Sequence, residues 1–328
     1  MKKLFLSLVL ITLMLTAVFA QGDKGSTKSV KLALNHVGAT DHPYHNGALK
    51  LAELASKYSD GSLTIDVFPA SQIASGAKSI EFVQAGTLDL ALESTMAFSN
   101  FVPEIGVLDL PFLFSSKQEA FRIIDGELGT KLETLAEQKG FKVIGWWDNG
   151  YRSITSTKGS IASPADLAGL KIRTPESKVF LVTFQTLGAI PTPMAVSEVF
   201  SALQLGTVDA AENSDSNNIK NKYTEVCKYY SVTKHIYTFE PLIMSMDKFN
   251  SLTSEQQTAL LKAAKEAEAH QRMVSLELDK KNMDTLRASE GVVLNIVEDL
   301  SEFQSASKPV YDAFPKFVDL LQIINKNR

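Results

Sequence analysis

Apolar and polar positions recur along the chain with the periods of strands and helices. Residues 30–34 form a short apolar run that predicts a strand, and residues 44–58 carry an amphipathic helical pattern stopped by the turn pair Asp60-Gly61. Leu63, Ile65 and Val67 alternate with Thr64 and Asp66 up to Pro69, the period of a strand. A helix over 76–85 is broken by Gly86, and a buried strand is predicted over 88–92. One long helix is predicted over 117–139, closing on Gly140, with a strand over 142–147 after it. Strand, helix and strand in repeated order predict an α/β fold, a parallel sheet covered by helices.

The sequence also echoes itself. Gly86-Thr87-Leu88-Asp89-Leu90-Ala91-Leu92-Glu93 resembles Gly206-Thr207-Val208-Asp209-Ala210-Ala211-Glu212-Asn213. Each copy follows a helix, and that helix follows a strand ending in proline, at Pro69 and Pro191. Helix ends favour glycine anyway, so a chance likeness stays open; as a repeat, it predicts two similar α/β lobes. Ligands of open parallel sheets sit beyond the carboxyl ends of the strands, here Glu93 and Asn213, and two such ends facing each other make one cleft. A third feature is a helix from residue 254 to about 289. Thr253 and Gln256 have the spacing of a capping box, and neither proline nor glycine intervenes before Gly291. Its length of roughly 50 Å exceeds the width of a small domain. A coiled coil is disfavoured because 280–282 breaks the apolar spacing, so the helix reads as a strut across both lobes that makes them a hinged pair.

Composition narrows the class. The 328 residues, 45% hydrophobic and 21% charged, suit two domains and an ample core. A net charge of -4 argues against nucleic-acid binding. The lone Cys227 excludes a disulfide framework and cysteine-rich metal sites. Lys2 and Lys3, the apolar run 4–18 and the small residue Ala20 before Gln21 describe a signal peptide over 1–20, with an uncleaved anchor as the competing reading. The mature chain is expected to be exported and soluble.

No nucleotide-binding, nucleophile-elbow or metalloprotease motif is present, and no cofactor is expected. His36, His42 and His45 crowd a loop with Asp41, but Pro43 between them marks a turn and helix start, and no metal is assigned. Cys227 reads as a small buried residue, although a pairing with His235 is the nucleophilic alternative. The six arginines are more informative. Arg122, Arg272 and Arg287 fall on predicted helices and Arg328 is terminal, whereas Arg152 and Arg173 close apolar strands. A guanidinium at such a place suits a bidentate grip on a carboxylate; the competing reading is a structural ion pair with Glu93, Glu198 or Glu212.

A family resemblance runs through the same residues. Asn149-Gly150-Tyr151-Arg152, Ser163-Pro164-Ala165-Asp166-Leu167-Ala168-Gly169-Leu170-Lys171-Ile172-Arg173, Leu187-Gly188-Ala189-Ile190-Pro191-Thr192-Pro193-Met194 and Asp109-Leu110-Pro111-Phe112-Leu113-Phe114 resemble the solute-binding components of tripartite ATP-independent periplasmic (TRAP) transporters. Ser197-Glu198-Val199-Phe200, Ala202-Leu203-Gln204 and the second copy of the repeat continue the match over nearly all of the mature chain. The resemblance implies a two-lobed periplasmic-binding-protein-like fold with a hinge and a long helix crossing both lobes. Lobe I would comprise 27–150 plus about 239–278, and lobe II 151–238 plus about 279–328. It further implies a periplasmic protein that captures an organic acid and delivers it to a membrane permease. The family's carboxylate-clamping arginine maps onto Arg173, its second arginine onto Arg152 and its ligand asparagine onto Asn213. Val196 stands where sialic-acid binders carry an aromatic, which argues against that ligand.

The polar residues around these positions suit a monocarboxylate sugar acid such as glucuronate or galacturonate. An ionised Glu93 accepts hydrogen bonds only, so it would take hydroxyls and repel a second carboxylate. Asn35, at the end of the first strand, offers a donor and an acceptor, with His36, His42, His45 and Gln72 as further candidates and Trp146 and Trp147 as apolar faces. The motif around Arg152 also resembles members that bind hexuronates and keto-sugar acids. Two other classes remain open at this stage. One is an exported hydrolase or lyase using Glu93 and Glu212 as acid and base, and the other is the partner of a sensor ectodomain.

Overall fold

The computed structural model describes residues 29–328. The segment expected to be a signal peptide lies outside them. The first half of the chain contains β1 (Val30–His36), α1 (Pro43–Tyr58), β2 (Leu63–Phe68), α2 (Ala77–Gln84), β3 (Leu90–Leu92), α3 (Thr95–Phe98), α4 (Lys117–Ile124), α5 (Glu127–Glu137) and β4 (Phe141–Ser156). The second contains β5 (Lys171–Thr174), α6 (Lys178–Thr186), β6 (Ile190–Pro193), α7 (Val199–Gln204), β7 (Ala210–Ser214), α8 (Asp215–Lys220), α9 (Tyr223–Val226) and β8 (Tyr229–Val232). The remainder contributes β9 (Tyr237–Ser245), α10 (Met246–Asn250), α11 (Ser254–Ala288), β10 (Val293–Ile296), α12 (Ser301–Asp312) and α13 (Val318–Lys326).

The strands form one sheet in the order β2-β1-β3-β9-β4-β7-β5-β6, with β8 and β10 branching from β4. It is mixed rather than wholly parallel. β1 runs parallel to β2 and β3, and β5 parallel to β6 and β7, but the strands between these groups, β9 and β4, are antiparallel to their neighbours. The predicted strand over 142–147 is the start of the 16-residue β4, which leaves the first group and enters the second. At Asn149-Gly150 the strand carries a register shift between Asp148 and Gly150, where Gly150 takes a φ of +103°. The helix predicted over 117–139 is two helices, because the chain turns at Asp125 and Gly126.

The repeated octapeptide occupies the same place in both halves. Gly86 and Gly206 adopt positive φ (71° and 70°) to end a helix, and a parallel strand follows each. The aspartate of each copy accepts a backbone N–H from the neighbouring parallel strand: Asp89 from Ala33 at 2.8 Å, Asp209 from Lys171 at 3.2 Å. Ser94 and Ser214 then cap the next helix, accepting from Ala97 and Asn217. Registers are also matched. Asn35 lies beside Ala91 as Arg173 lies beside Ala211, so Asn35 and Arg173 are counterparts.

Three large apolar clusters cover the sheet. One packs Phe141, Trp146, Tyr237 and Phe239 against α4 and α5; a second packs Trp147, Leu34 and Leu92 against α1 and α11; a third gathers Ile154, Ile172, Phe180, Phe184 and Phe303 in the second half. Phe314, Phe317, Leu320 and Ile324, expected in lobe II, bury their side chains in the first of these clusters. α11 starts one residue after Thr253, and both halves of the capping box with Gln256 are formed. Its alanines, among them Ala263 and Ala267, lie buried in the same cluster as Leu51 and Ala55 of α1. Midway along, Gln271 accepts the Asp148 N–H (2.8 Å) and donates to the Asp148 carbonyl (2.9 Å), pinning the helix to the bulge of β4. Farther along, Asn282 donates to Ser216 of α8. One helix thus touches both halves and the strand that joins them.

Candidate functional site

A narrow cleft, with about 60 Å³ of free space, lies between the two halves. Glu93, Ser94, Met96 and Glu240 line it from the first half, Asn149 from the joining strand, and Arg152, Arg173, Met194, Val196 and Asn213 from the second. Four of the five residues singled out as ligand-binding in the sequence are therefore together on its walls. Glu93 and Asn213 arrive there because each follows the short parallel strand of its repeat, as the carboxyl-end rule requires. Arg173 sits near the end of β5, which Pro175 stops.

The two arginines differ in charge state of surroundings. Arg152 is locked to Glu212 by Nε–Oε2 (2.5 Å) and Nη2–Oε1 (2.8 Å), the ion pair held open in the sequence reading. Its Nη1 has no hydrogen-bond partner although it is buried. Burial alone would raise the Glu212 carboxyl, but the Arg152 guanidinium overrides it and holds the acid at about 2. Arg173 is 3% exposed and donates through Nε (3.1 Å) and Nη2 (2.8 Å) to the Met194 carbonyl. Among the described residues no carboxylate lies within salt-bridge distance of it. Burial consequently lowers its proton affinity below the usual arginine value. Asn213 accepts the Ser214 N–H on Oδ1 at 2.9 Å, which leaves its amide NH₂ for the cleft.

Asn35, the fifth residue, is not on the cleft wall. It is fully buried, and its amide donates to the Ala74 carbonyl (2.8 Å) and Ser79 hydroxyl (3.1 Å) while accepting the Ile73 N–H (3.2 Å). Where its counterpart Arg173 reaches into the cleft, Asn35 braces the loop that carries Gly76. His36 and His42 are buried, and burial pushes their imidazoles down to about 4 and about 3. His42 caps α1 by accepting the Tyr44 N–H, and His36 contacts His45 at 3.2 Å. Among the described residues no three histidine, cysteine or acidic side chains are placed to share a metal ion. Gln72 is exposed, Trp146 and Trp147 lie in the apolar clusters, and burial raises the Cys227 thiol to about 11.

Sequence reasoning missed Glu240, Asn149 and Asn217. Asn217 donates to Asn149 Oδ1 (3.2 Å), Asn149 donates to Glu240 Oε2 (3.0 Å), and Tyr44 donates to the same oxygen (3.2 Å). A signal for Glu240 was available: it is the one acid within the buried strand β9, a costly place for a carboxyl without a purpose. Glu93 accepts the Gly76 N–H on Oε2 at 3.1 Å, its Oε1 is buried without a partner, and burial raises its carboxyl to about 8. The sequence reading weighed only the ionised form of Glu93; a protonated carboxyl donates as well as accepts.

Comparison with known proteins adds a frame to this geometry. Residues 34–316 match the family of bacterial extracellular solute-binding proteins, family 7. The 2,3-diketo-L-gulonate-binding periplasmic protein of Escherichia coli is 32% identical over 286 residues, covering 86% of this chain and 87% of that one. Among solved structures, a TRAP periplasmic solute-binding protein from Sulfitobacter with bound β-D-galacturonate is 31% identical, superimposes with a TM-score of 0.87, and covers 90% of this chain and all of its own. A TRAP periplasmic solute-binding protein from Sulfurospirillum deleyianum with bound succinate is 29% identical with a TM-score of 0.85, covering 92% of this chain and all of its own.

Proposed function

The chain belongs to family 7 of the bacterial extracellular solute-binding proteins, binding components rather than enzymes, and from that membership we propose that it is the periplasmic receptor of a TRAP transporter, capturing a hexuronate-type monocarboxylate. Arg173 takes the carboxylate, Nη1 of Arg152 and the amide of Asn213 supply further donors, and a membrane permease receives the cargo. The observation that carries the reading is a buried guanidinium in a cleft with no carboxylate partner among the described residues. Such a cation is costly unless an anion arrives, and a small carboxylate is the anion whose geometry matches the guanidinium fork. Charge-assisted bonds contribute about 1.5–3 kcal/mol each. Micromolar affinity needs about 8 kcal/mol after ordering costs, so contacts to the rest of the ligand must add to the clamp.

Galacturonate and diketogulonate, named for two relatives, are polyhydroxylated monocarboxylates. The hydrolase reading is set aside with the family. Glu212, its required partner, is also bound to Arg152 on both oxygens and has no proton to give near neutral pH. A thermal-shift panel of uronates, aldonates, dicarboxylates and keto acids tests the ligand class, followed by calorimetric titration of the strongest hit. Arg173→Ala should weaken that hit about 100-fold or more, the scale of a desolvated charge pair broken on one side. Unchanged affinity in this variant would remove the clamp.

A further inference from the structure

We infer that Glu93 and Glu240 form a second subsite on the first-half wall, whose carboxyls stay neutral, bind the hydroxyl-bearing end of a monoanionic acid, and tie capture of that acid to a proton. The inference rests on the functional reading above, in which Arg173 takes the ligand's carboxylate. Both side chains are 2% exposed, both line the cleft, and neither has a lysine or arginine within salt-bridge distance among the described residues. A buried carboxyl without a cation resists ionisation, and a second one nearby resists it further. Burial and then the neighbouring Glu93 accordingly raise the Glu240 carboxyl well above its ordinary range. Glu93 keeps one oxygen, Oε1, buried without a hydrogen-bond partner, with the Ser79 hydroxyl close enough to ease its ionisation but not to offset burial, so a ligand hydroxyl can complete it.

The charge count of the cleft follows from these states. The groups facing the two acids are Tyr44 of α1, Asn149 and Arg152 of β4, Gly76 and Ser79 around α2, and across the cleft Arg173, with Glu176 exposed at the mouth. Arg152 is neutralised by Glu212, so Arg173 is the uncompensated charge and a single carboxylate balances it. A second carboxylate would enter a dry wall with no counter-charge. Hydroxyls meet a complete partner set there, since each neutral carboxyl offers one O–H donor and an acceptor oxygen. When Glu93 ionises, the wall instead carries a negative charge facing the bound anion. Binding and protonation are then linked, and the ligand favours the protonated form by the same factor that the proton favours the ligand.

The test is calorimetric titration of the purified protein with D-galacturonate and with galactarate, its dicarboxylate analogue, from pH 6.5 to 9.5. Galacturonate affinity should be level at the acid end and fall by up to about tenfold per pH unit once Glu93 ionises, the slope of one linked proton. Glu93→Gln holds the position neutral at every pH, so its profile should lose that slope whatever its affinity at pH 7. Galactarate should bind about 100-fold more weakly than galacturonate at pH 7 in the wild type, the scale of an unpaired buried charge. A flat wild-type profile, a slope that persists in Glu93→Gln, or galactarate binding as tightly as galacturonate would overturn the inference. Binding of no carboxylate at all at pH 7 is a different result, and it overturns the functional reading itself.

Discussion

Single side chains in this protein divide between those that satisfy one another and those that wait for something else. Arg152 and Glu212 belong to the first kind. They form a fully buried pair, and removing either charge strands the other. Glu212→Gln should cost about 3–5 kcal/mol in chemical denaturation, whereas Arg173→Ala should leave the ligand-free protein as stable as before or more so. Buried histidines work against the fold in acid. His36 and His42 have folded-state values of about 4 and about 3 against an ordinary 6.5, so the unfolded chain takes up protons first. Their contribution is complete above pH 6.5 and is lost as the pH falls towards 4 and below, on the order of 3 kcal/mol for His36. Glu212 loses its own contribution only below its unfolded value near 4.5, so the two effects separate on the pH axis. Glu93 and Glu240, raised by burial, act in the opposite sense over the same interval, so the test is a difference: between pH 6.5 and 4.5 the melting temperature of His42→Asn, which keeps an N-cap side chain, should rise relative to that of the wild type.

At the level of elements, what the sequence made legible is what local chemistry decides. The capping box at Thr253 and Gln256 and the absence of helix breakers placed α11 to within a residue, because caps and propensity act on the backbone directly. The repeat was legible for the same reason: its glycine and aspartate do identical backbone work in both copies. Partners distant in sequence left no such trace. Nothing local marks Asn149-Gly150 as a bulge rather than a turn; the decision is made by Gln271, which satisfies both backbone groups of Asp148 from another element. Nor does Asn35 announce that its amide will be taken up by residues 73–79. Gly47 shows the same dependence on distant neighbours. A Cβ there would lie 2.6 Å from the Trp147 ring and 2.9 Å from Gln271, where α1 meets the joining strand and α11. Gly47→Ala should destabilise the fold by about 1–3 kcal/mol through overpacking, read as an earlier midpoint in urea. Thr253→Ala should cost about 1 kcal/mol.

Over the whole molecule, the two halves also meet outside the cleft wall. Asp41, in the loop before α1, pairs with Lys220 of α8, and Asn100 donates to the Glu176 carbonyl at 2.8 Å. Both contacts join residues of opposite halves, so they exist only while the halves are together. The Asp41–Lys220 pair is solvent-accessible and should be screened by salt. Lys220→Ala is expected to weaken ligand binding by about two- to fivefold at low ionic strength, the yield of an exposed ion pair, with the difference shrinking in 0.5 M salt. An unchanged affinity at low salt would show that this contact does not help to hold the halves together.

The unpaired guanidinium of Arg173 sets a condition on that meeting of halves. Shutting around nothing would strand a desolvated cation, a penalty of several kcal/mol. On the proposed function, closure without an anion is thereby disfavoured, by roughly 100 to 1 for each 3 kcal/mol. If the proposed delivery to a permease holds, a permease that recognises the shut outline would seldom be distracted by idle receptors, since the cargo itself supplies the missing counter-charge.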